Sequence, residues 1–205
     1  MRAHGGREGG DDGSLERDVS EATGRHADYA ELEAELDVVR AAPSDEGTVQ
    51  LICARPGEDR RVVVDAGELD LDVGLVGDDW RTRGSSSSPD GLAKLDAQLT
   101  LMNSRAAQVI TGARELWPIA GDQFFVDFDL SDANCPAGTR LALGDAVVEV
   151  TALPHTGCAK FAERFGKDAL RIVNSEVGRA LNLRGVNAKV VAPGVVRSGA
   201  AVRKL

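Results

Sequence analysis

The stretch Thr139–Thr151, TRLALGDAVVEVT, alternates apolar and polar residues on either side of Leu143-Gly144-Asp145. A period of two belongs to a half-buried strand, and Leu-Gly-Asp is a tight-turn signal. The stretch therefore predicts two strands, Thr139–Leu143 and Ala146–Thr151, folded back on each other. Upstream, Gln123–Leu130 reads QFFVDFDL. Phe124, Val126 and Phe128 fall on one face of a strand, and Phe125, Asp127 and Asp129 on the other. Further out, Thr48–Ala54 (TVQLICA) and Arg61–Asp65 (RVVVD) flank the turn cluster Arg55-Pro56-Gly57-Glu58-Asp59. That pattern predicts a second hairpin. Ala97–Ser104, Gly185–Ala192 and Val195–Arg197 add more strands.

At least seven short strands with Gly/Pro turns predict a mainly β fold with a few helices, closed as a β-barrel. No βαβ rhythm and no GxGxxG are present, which argues against a dinucleotide fold. The helices are read from 3.6-residue stripes. Leu32, Leu36 and Val39 mark a leading helix over 28–42, ended by Pro43 and Gly47. Arg105–Ala113 reads as a short helix that Gly112 weakens, and Cys158–Phe165 and Lys167–Leu181 as two more. Residues 70–91 read as a long loop holding VGLVGDDW and the run Ser85–Ser88. Residues 1–27 are acidic and Gly-rich, with few apolar side chains, and read as a disordered tail before a domain over 28–205.

The 205 residues carry 24 Lys+Arg and 33 Asp+Glu, a net −9. By segment, 1–46 hold 5 against 13, 47–155 hold 9 against 17, and 156–205 hold 10 against 3, so −8, −8 and +7 sum to −9. A basic last quarter on an acidic chain is either a solvated face or a local anion site. Phosphate on a small ligand fits better than nucleic acid, because basic and aromatic residues are not interleaved. No run approaches the ~18 apolar residues of a membrane span. The opening residues lack the apolar core of a secretory signal. Cysteines at 53, 135 and 158 are odd in number and widely spaced, which argues against a disulfide framework or a zinc cage. The expected compartment is the reducing cytoplasm. Cys53 reads as a core thiol in a strand, and Cys135, before Pro136, as an exposed loop thiol.

Pro154-His155-Thr156-Gly157-Cys158 carries the chemistry. A strand ends at Thr151, Pro154 and Gly157 bend the chain, and a helix starts at or just after Cys158. Free N–H groups and the helix dipole favour a thiolate there, and Lys160 and His155 are close in sequence. A thiolate serves a soft metal or an electrophilic sulfur. Cys158, Phe161, Ala162 and Phe165 share one face, which aims the cysteine toward the barrel and leaves Lys160, Glu163, Arg164 and Lys167 outside. The same placement suits a buried structural cysteine.

GLVGDDW (Gly74–Trp80), LMNSRAA (Leu101–Ala107), GDAVVEVT (Gly144–Thr151), Cys158 and NAKVVAPGVVRSG (Asn187–Gly199) together resemble the MOSC domain family. That family is named for the C-terminal domain of molybdenum cofactor sulfurase. The opening from Leu36 to LICARPG is similar to small stand-alone members, and the resemblance spans roughly residues 30–199. It implies a MOSC-type β-barrel and matches Cys158 to the family's essential cysteine. In relatives carrying molybdenum cofactor, that cysteine ligates the metal. The implied function is molybdenum-cofactor binding, with two-electron reduction of N-hydroxylated substrates. Thr156, Gly157, Asn103, Ser104, Arg105 and Arg184 are the candidates to hold the phosphate of the pterin.

The alternative is a sulfur carrier, with Cys158 accepting sulfane sulfur as a persulfide from a cysteine desulfurase. The third reading is an anion-binding barrel without catalysis. A redox partner belongs to the first reading, and neither nucleic acid nor membrane to any. Pyridoxal phosphate is not expected, because the chain has no room for the transferase domain of the family's sulfurases. Three stretches depart from the family pattern. Asp79 and Trp80 follow Gly77-Asp78 where many relatives carry a basic residue. Asp127-Phe128-Asp129-Leu130 stands in place of Gly-Glu-Asn-Leu. Gly199-Ala200 replaces a closing Gly-Asp.

Overall fold

Alternation and turn signals become a closed sheet in a computed structural model, which describes residues 17–18, 24–85 and 88–205. In chain order its elements are β1 (Arg17–Asp18), α1 (Tyr29–Ala34), α2 (Leu36–Arg40), β2 (Glu46–Ala54), β3 (Val62–Val64), β4 (Ala66–Asp70) and β5 (Gly74–Leu75). Then come α3 (Trp80–Arg83), β6 (Leu99–Asn103), α4 (Ser104–Thr111), β7 (Phe124–Asp127), β8 (Arg140–Leu143) and β9 (Ala146–Val150). The chain finishes with α5 (Ala159–Val173), α6 (Glu176–Ala180), β10 (Val186–Ala192), β11 (Gly194–Arg197) and β12 (Ala201–Lys204). Short 3-10 turns lie at Leu95–Ala97 and Arg114–Ala120.

Seven strands close on themselves in the order β2-β12-β8-β9-β10-β6-β7 and back to β2. All these pairings are antiparallel except β6 with β7. A parallel pair needs a crossover, and α4 with the Arg114–Ala120 turn supplies it. β3 continues along β2 beyond β12, and β11, β4 and β5 form a small separate sheet.

Strand alternation splits the apolar residues into two layers. Phe124, Val126 and Phe128 point into the barrel with Leu101, Leu141, Leu143, Val148 and Ala188. Phe125 points out, into a second cluster with Leu32, Leu36, Trp117, Phe161 and Phe165. The helices cover that outer face. Truncating either buried phenylalanine to alanine would cost about 3–5 kcal/mol.

The β8–β9 hairpin forms as its sequence predicts, with Gly144 at φ +55 in the turn. Other expectations need revision. Residues 70–91 are not one loop but hold β5 and α3. The leading helix begins at an Asp28/Glu31 capping box and is interrupted at Glu35. The helix over 167–181 breaks at Asn174, where Ser175 caps α6 by accepting from the Gly178 amide at 3.1 Å. Of the segment read as a tail, Arg17–Asp18 pair with β3 and Ala27 is buried. Its remaining residues before 24 lie outside the described ones. Cys135 is buried, not exposed, because its loop folds under the barrel and its Sγ lies 3.4 Å from the Asp129 carbonyl oxygen. Among the described residues, no helix is long and apolar enough to cross a membrane.

Candidate functional site

Cys158 is exposed at the N-cap of α5, and its side chain makes no capping hydrogen bond. It opens on a cavity of about 700 Å³. Among the described residues, six cations line that cavity, Arg55, Arg61, Arg83, Lys160, Arg164 and Arg184, against three acids, Glu58, Asp59 and Asp79. Asp78 and Asp122 stand buried behind the lining.

The guanidinium groups are placed by one short backbone run. The carbonyls of Ile119, Ala120 and Gly121 end the 3-10 turn. In order, they accept from Arg164 Nη1 at 2.9 Å, Arg184 Nη2 at 2.9 Å and Arg55 Nη1 at 3.0 Å. Carbonyls at the end of a helical turn lack internal partners and carry partial negative charge, so cations suit them. Gly121 itself sits at φ +96. A Cβ placed there would come within 4.0 Å of the guanidinium nitrogens of Arg61, Arg164 and Arg184. The glycine thus keeps an opening where three cations converge.

Carboxylates anchor the ring, Asp78 and Asp122 from behind and Asp59 and Asp79 from the lining itself. Arg55 makes a two-pronged pair with Asp78, Nε to Oδ2 at 2.9 Å and Nη2 to Oδ1 at 3.0 Å. Arg83 meets Asp79 at 2.6 Å, Arg164 meets Asp59 at 3.1 Å, and Arg184 meets Asp122 at 2.5 Å. Crowding still costs. Burial first, then the cations of Arg164 and Arg55, pull the Arg61 pKa below the usual guanidinium range. Burial and the Arg55 charge do the same to Arg83. An anion in the cavity would relieve both.

Two of the residues expected from sequence lie together here, Cys158 and Arg184. The others do not line the cavity. Thr156 is exposed outside it. Gly157 packs on Leu170 and Val173, and both its backbone polar groups pair with the Asn174 side chain, at 3.1 and 3.2 Å. Asn103 caps α4 by accepting from the Arg105 amide, and Ser104 is buried in the first turn. Arg105 pairs with Asp127 at 2.7 Å and donates to the Val38 and Ala41 carbonyls, so it ties α2 to the barrel. Cys158 opens to the cavity mouth instead of packing toward the barrel, because as N-cap it lies outside the helical stripe. Arg164 does not face outward but turns inward, onto the Ile119 carbonyl.

Sequence reading missed Arg55, Arg61, Arg83 and Arg164 as cavity residues. Arginines look solvated one at a time, whether they flank a turn, as Arg55 and Arg61 do, or sit on a helix, as Arg83 and Arg164 do.

His155 lies outside this cavity, beyond Asp122. Its Nδ1 lies 3.5 Å from Asp122 Oδ1. Burial first, then the Arg184 cation, push its pKa down to about 3 against the pull of Asp122. The imidazole is therefore neutral near pH 7. Among the described residues, no group of three or more His, Cys, Asp or Glu could hold a metal ion. A metal at Cys158 would need its remaining ligands from elsewhere.

No protein-family model matches the chain. No curated protein matches it either. Solved structures do resemble it. The YUAD protein from Bacillus subtilis superposes with a TM-score of 0.57 at 14% identity, over 77% of this chain and 94% of that one. A hypothetical protein gives 0.56 at 21% identity, over 82% and 70%. YiiM from Escherichia coli gives 0.52 at 19% identity, over 77% and 69%. Identities this low carry the architecture alone, and that architecture, a closed mixed barrel with helices on its outer face, is the MOSC-type β-barrel.

Proposed function

We propose that this chain binds a phosphate-bearing metal cofactor of the molybdopterin class, with the Cys158 thiolate as the protein's ligand to the metal. One observation carries the reading: an uncommitted, exposed thiol shares a cavity with guanidinium groups converging on Gly121. Planar guanidinium forks suit a phosphate monoester, and a soft thiolate suits molybdenum. The donor set fits. With no group of three or more His, Cys, Asp or Glu among the described residues, the metal's remaining ligands would come from the cofactor's own dithiolene.

When bound, such a group supplies two-electron chemistry at the metal. Reduction of an N-hydroxylated amine takes two electrons and two protons and releases water. The electrons come from a separate redox partner. The chain's own residues hold and orient. Arg61, Arg164 and Arg184 take the phosphate, Lys160 adds charge at the rim, and Asp78 and Asp122 keep Arg55 and Arg184 in place.

A second reading rests on the exposure of Cys158, which lets another protein's cysteine reach it. There, the thiolate attacks the terminal sulfur of a donor persulfide. A new S–S bond forms on Cys158, the donor's S–S bond breaks, and the donor leaves as a thiol.

The test is metal analysis of protein from a molybdate-fed host, with fluorescence of the oxidised pterin. Molybdenum and pterin are expected in near-equal amounts, with molybdenum lost in Cys158→Ser. Absence of both from the unmodified protein overturns the first reading. A +32 Da adduct on Cys158 after incubation with a cysteine desulfurase would then establish the carrier, and absence of both signals would leave an anion-binding barrel.

A further inference from the structure

Arg184 also lines a second cavity, of about 340 Å³, which among the described residues shares no other with the first. A buried polar cluster stands between them. Asp122 accepts from Arg184 Nη1, and its other oxygen faces His155, which lines the second cavity. Among the described residues, Arg184 Nε, Asp122 Oδ1 and His155 Nδ1 are buried without a hydrogen-bond partner. Arg184 itself is 8% exposed. Asp122 Oδ1 and His155 Nδ1 face each other at 3.5 Å, which leaves Arg184 Nε as the buried donor that calls for an acceptor.

The rest of the lining defines that partner. Val150, Leu153, Val173 and Val186 make an apolar wall. Arg179 stands exposed at the rim and has no ion-pair partner among the described residues. Among the described residues, Asp132 is the one acid in the lining, and it already accepts from Asn182 Nδ2 at 3.0 Å. An apolar wall with two guanidinium groups and an imidazole selects a small molecule with an apolar body and one anionic end.

We propose that this cavity is a second ligand site, for a small organic monocarboxylate recognised by Arg179 and Arg184. It lies apart from the cysteine cavity. Because Arg184 serves both, occupancy of one cavity is coupled to occupancy of the other.

Isothermal titration with benzoate, and with benzyl alcohol as its neutral counterpart, tests this. Benzoate is expected to bind at least about tenfold more tightly than the alcohol, and Arg179→Ala to cost about tenfold. Ala152→Trp, at the exposed rim, should block binding by filling the mouth. In protein purified without molybdate, Cys158→Ser and Arg83→Ala, which touch only the first cavity, should leave benzoate affinity unchanged. The proposal is overturned if benzoate fails to bind at about 10 mM, a threshold set by millimolar affinity. It is equally overturned if Arg179→Ala and Ala152→Trp bind normally, or if Arg83→Ala loses binding, which would put the carboxylate beside Cys158.

Discussion

Asp78 grips Arg55 from the side and from behind at once. Its carboxylate accepts from Arg55 Nε and Nη2 and also from the Arg55 backbone amide, at 2.9, 3.0 and 3.0 Å. The same group accepts from the Trp80 amide at 2.9 Å. Three of these hydrogen bonds join the Gly77-Asp78 turn to the residue that follows β2, the fourth ties the turn to α3, and both side chains are buried. Removing one partner of such a pair strands the other charge. Asp78→Ala is expected to lower stability by about 3–5 kcal/mol, measured by urea unfolding. An unchanged midpoint would show that water replaces the carboxylate.

The three cysteines differ sharply in access, and alkylation should read that difference directly. Cys158 is exposed, whereas Cys53 and Cys135 are buried. Burial pushes both inner thiols up to about 12. Iodoacetamide at pH 8 should modify Cys158 alone in the folded protein, and all three residues after denaturation. Cys158→Ser should take up nothing until unfolded. Peptide mapping checks the site, and labelling of Cys135 in the folded state would contradict the closed loop.

Those raised values also set the alkaline limit. A free thiol ionises near 8.5, so above about pH 9 the unfolded chain sheds two protons that the folded chain keeps. The unfolded state then binds fewer protons, and stability falls as pH rises toward about 12. The expected slope is about 1.4 kcal/mol per pH unit for each thiol. Cys53→Ala and Cys135→Ala should each flatten it, seen in denaturation midpoints across the range.

How much of this was legible in the sequence follows from range. Phe124 and Phe125 could be assigned to opposite faces because the pleat has a period of two and needs no tertiary knowledge. Cys158 could be put at a helix start because Pro154 and Gly157 are local signals. β12 could not be read. Ala201–Lys204 offers one buried valine, and its strand character comes from pairing with β2 and β8 far back in the chain. The guanidinium ring was hidden for the same reason, since the carbonyls that gather Arg55, Arg164 and Arg184 belong to a turn none of them is near in sequence. Asn103-Ser104-Arg105 misled because a helix cap and an anion site use the same residue types.

Acid should weaken the fold through His155. Its folded pKa of about 3 lies below the usual 6.5, held down first by burial and then by Arg184. Between those values the unfolded chain binds a proton that the folded chain refuses. The unfolded state then binds more protons, so stability rises with pH and is lost as pH falls from about 6.5 toward 3. The slope is about 1.4 kcal/mol per unit. His155→Gln should flatten it, and the His155 ring proton should not shift in NMR spectra above about pH 4. A titration near 6.5 would mean that the imidazole is open to water.

Gly121 separates stability from binding most cleanly. At φ +96 an L side chain is strained, so Gly121→Ala should cost about 1–2 kcal/mol. The new methyl would also stand within 4.0 Å of Arg61, Arg164 and Arg184, in the space an anion would take. Inorganic phosphate should therefore protect the unmodified protein against thermal unfolding and protect Gly121→Ala much less. The protection should shrink as salt rises, since screening weakens each charge pair. Gly77→Ala makes the matched control, because Gly77 is also at positive φ but its Cβ would meet open space. If phosphate protects the two variants equally, the guanidinium groups around Gly121 do not form the anion site.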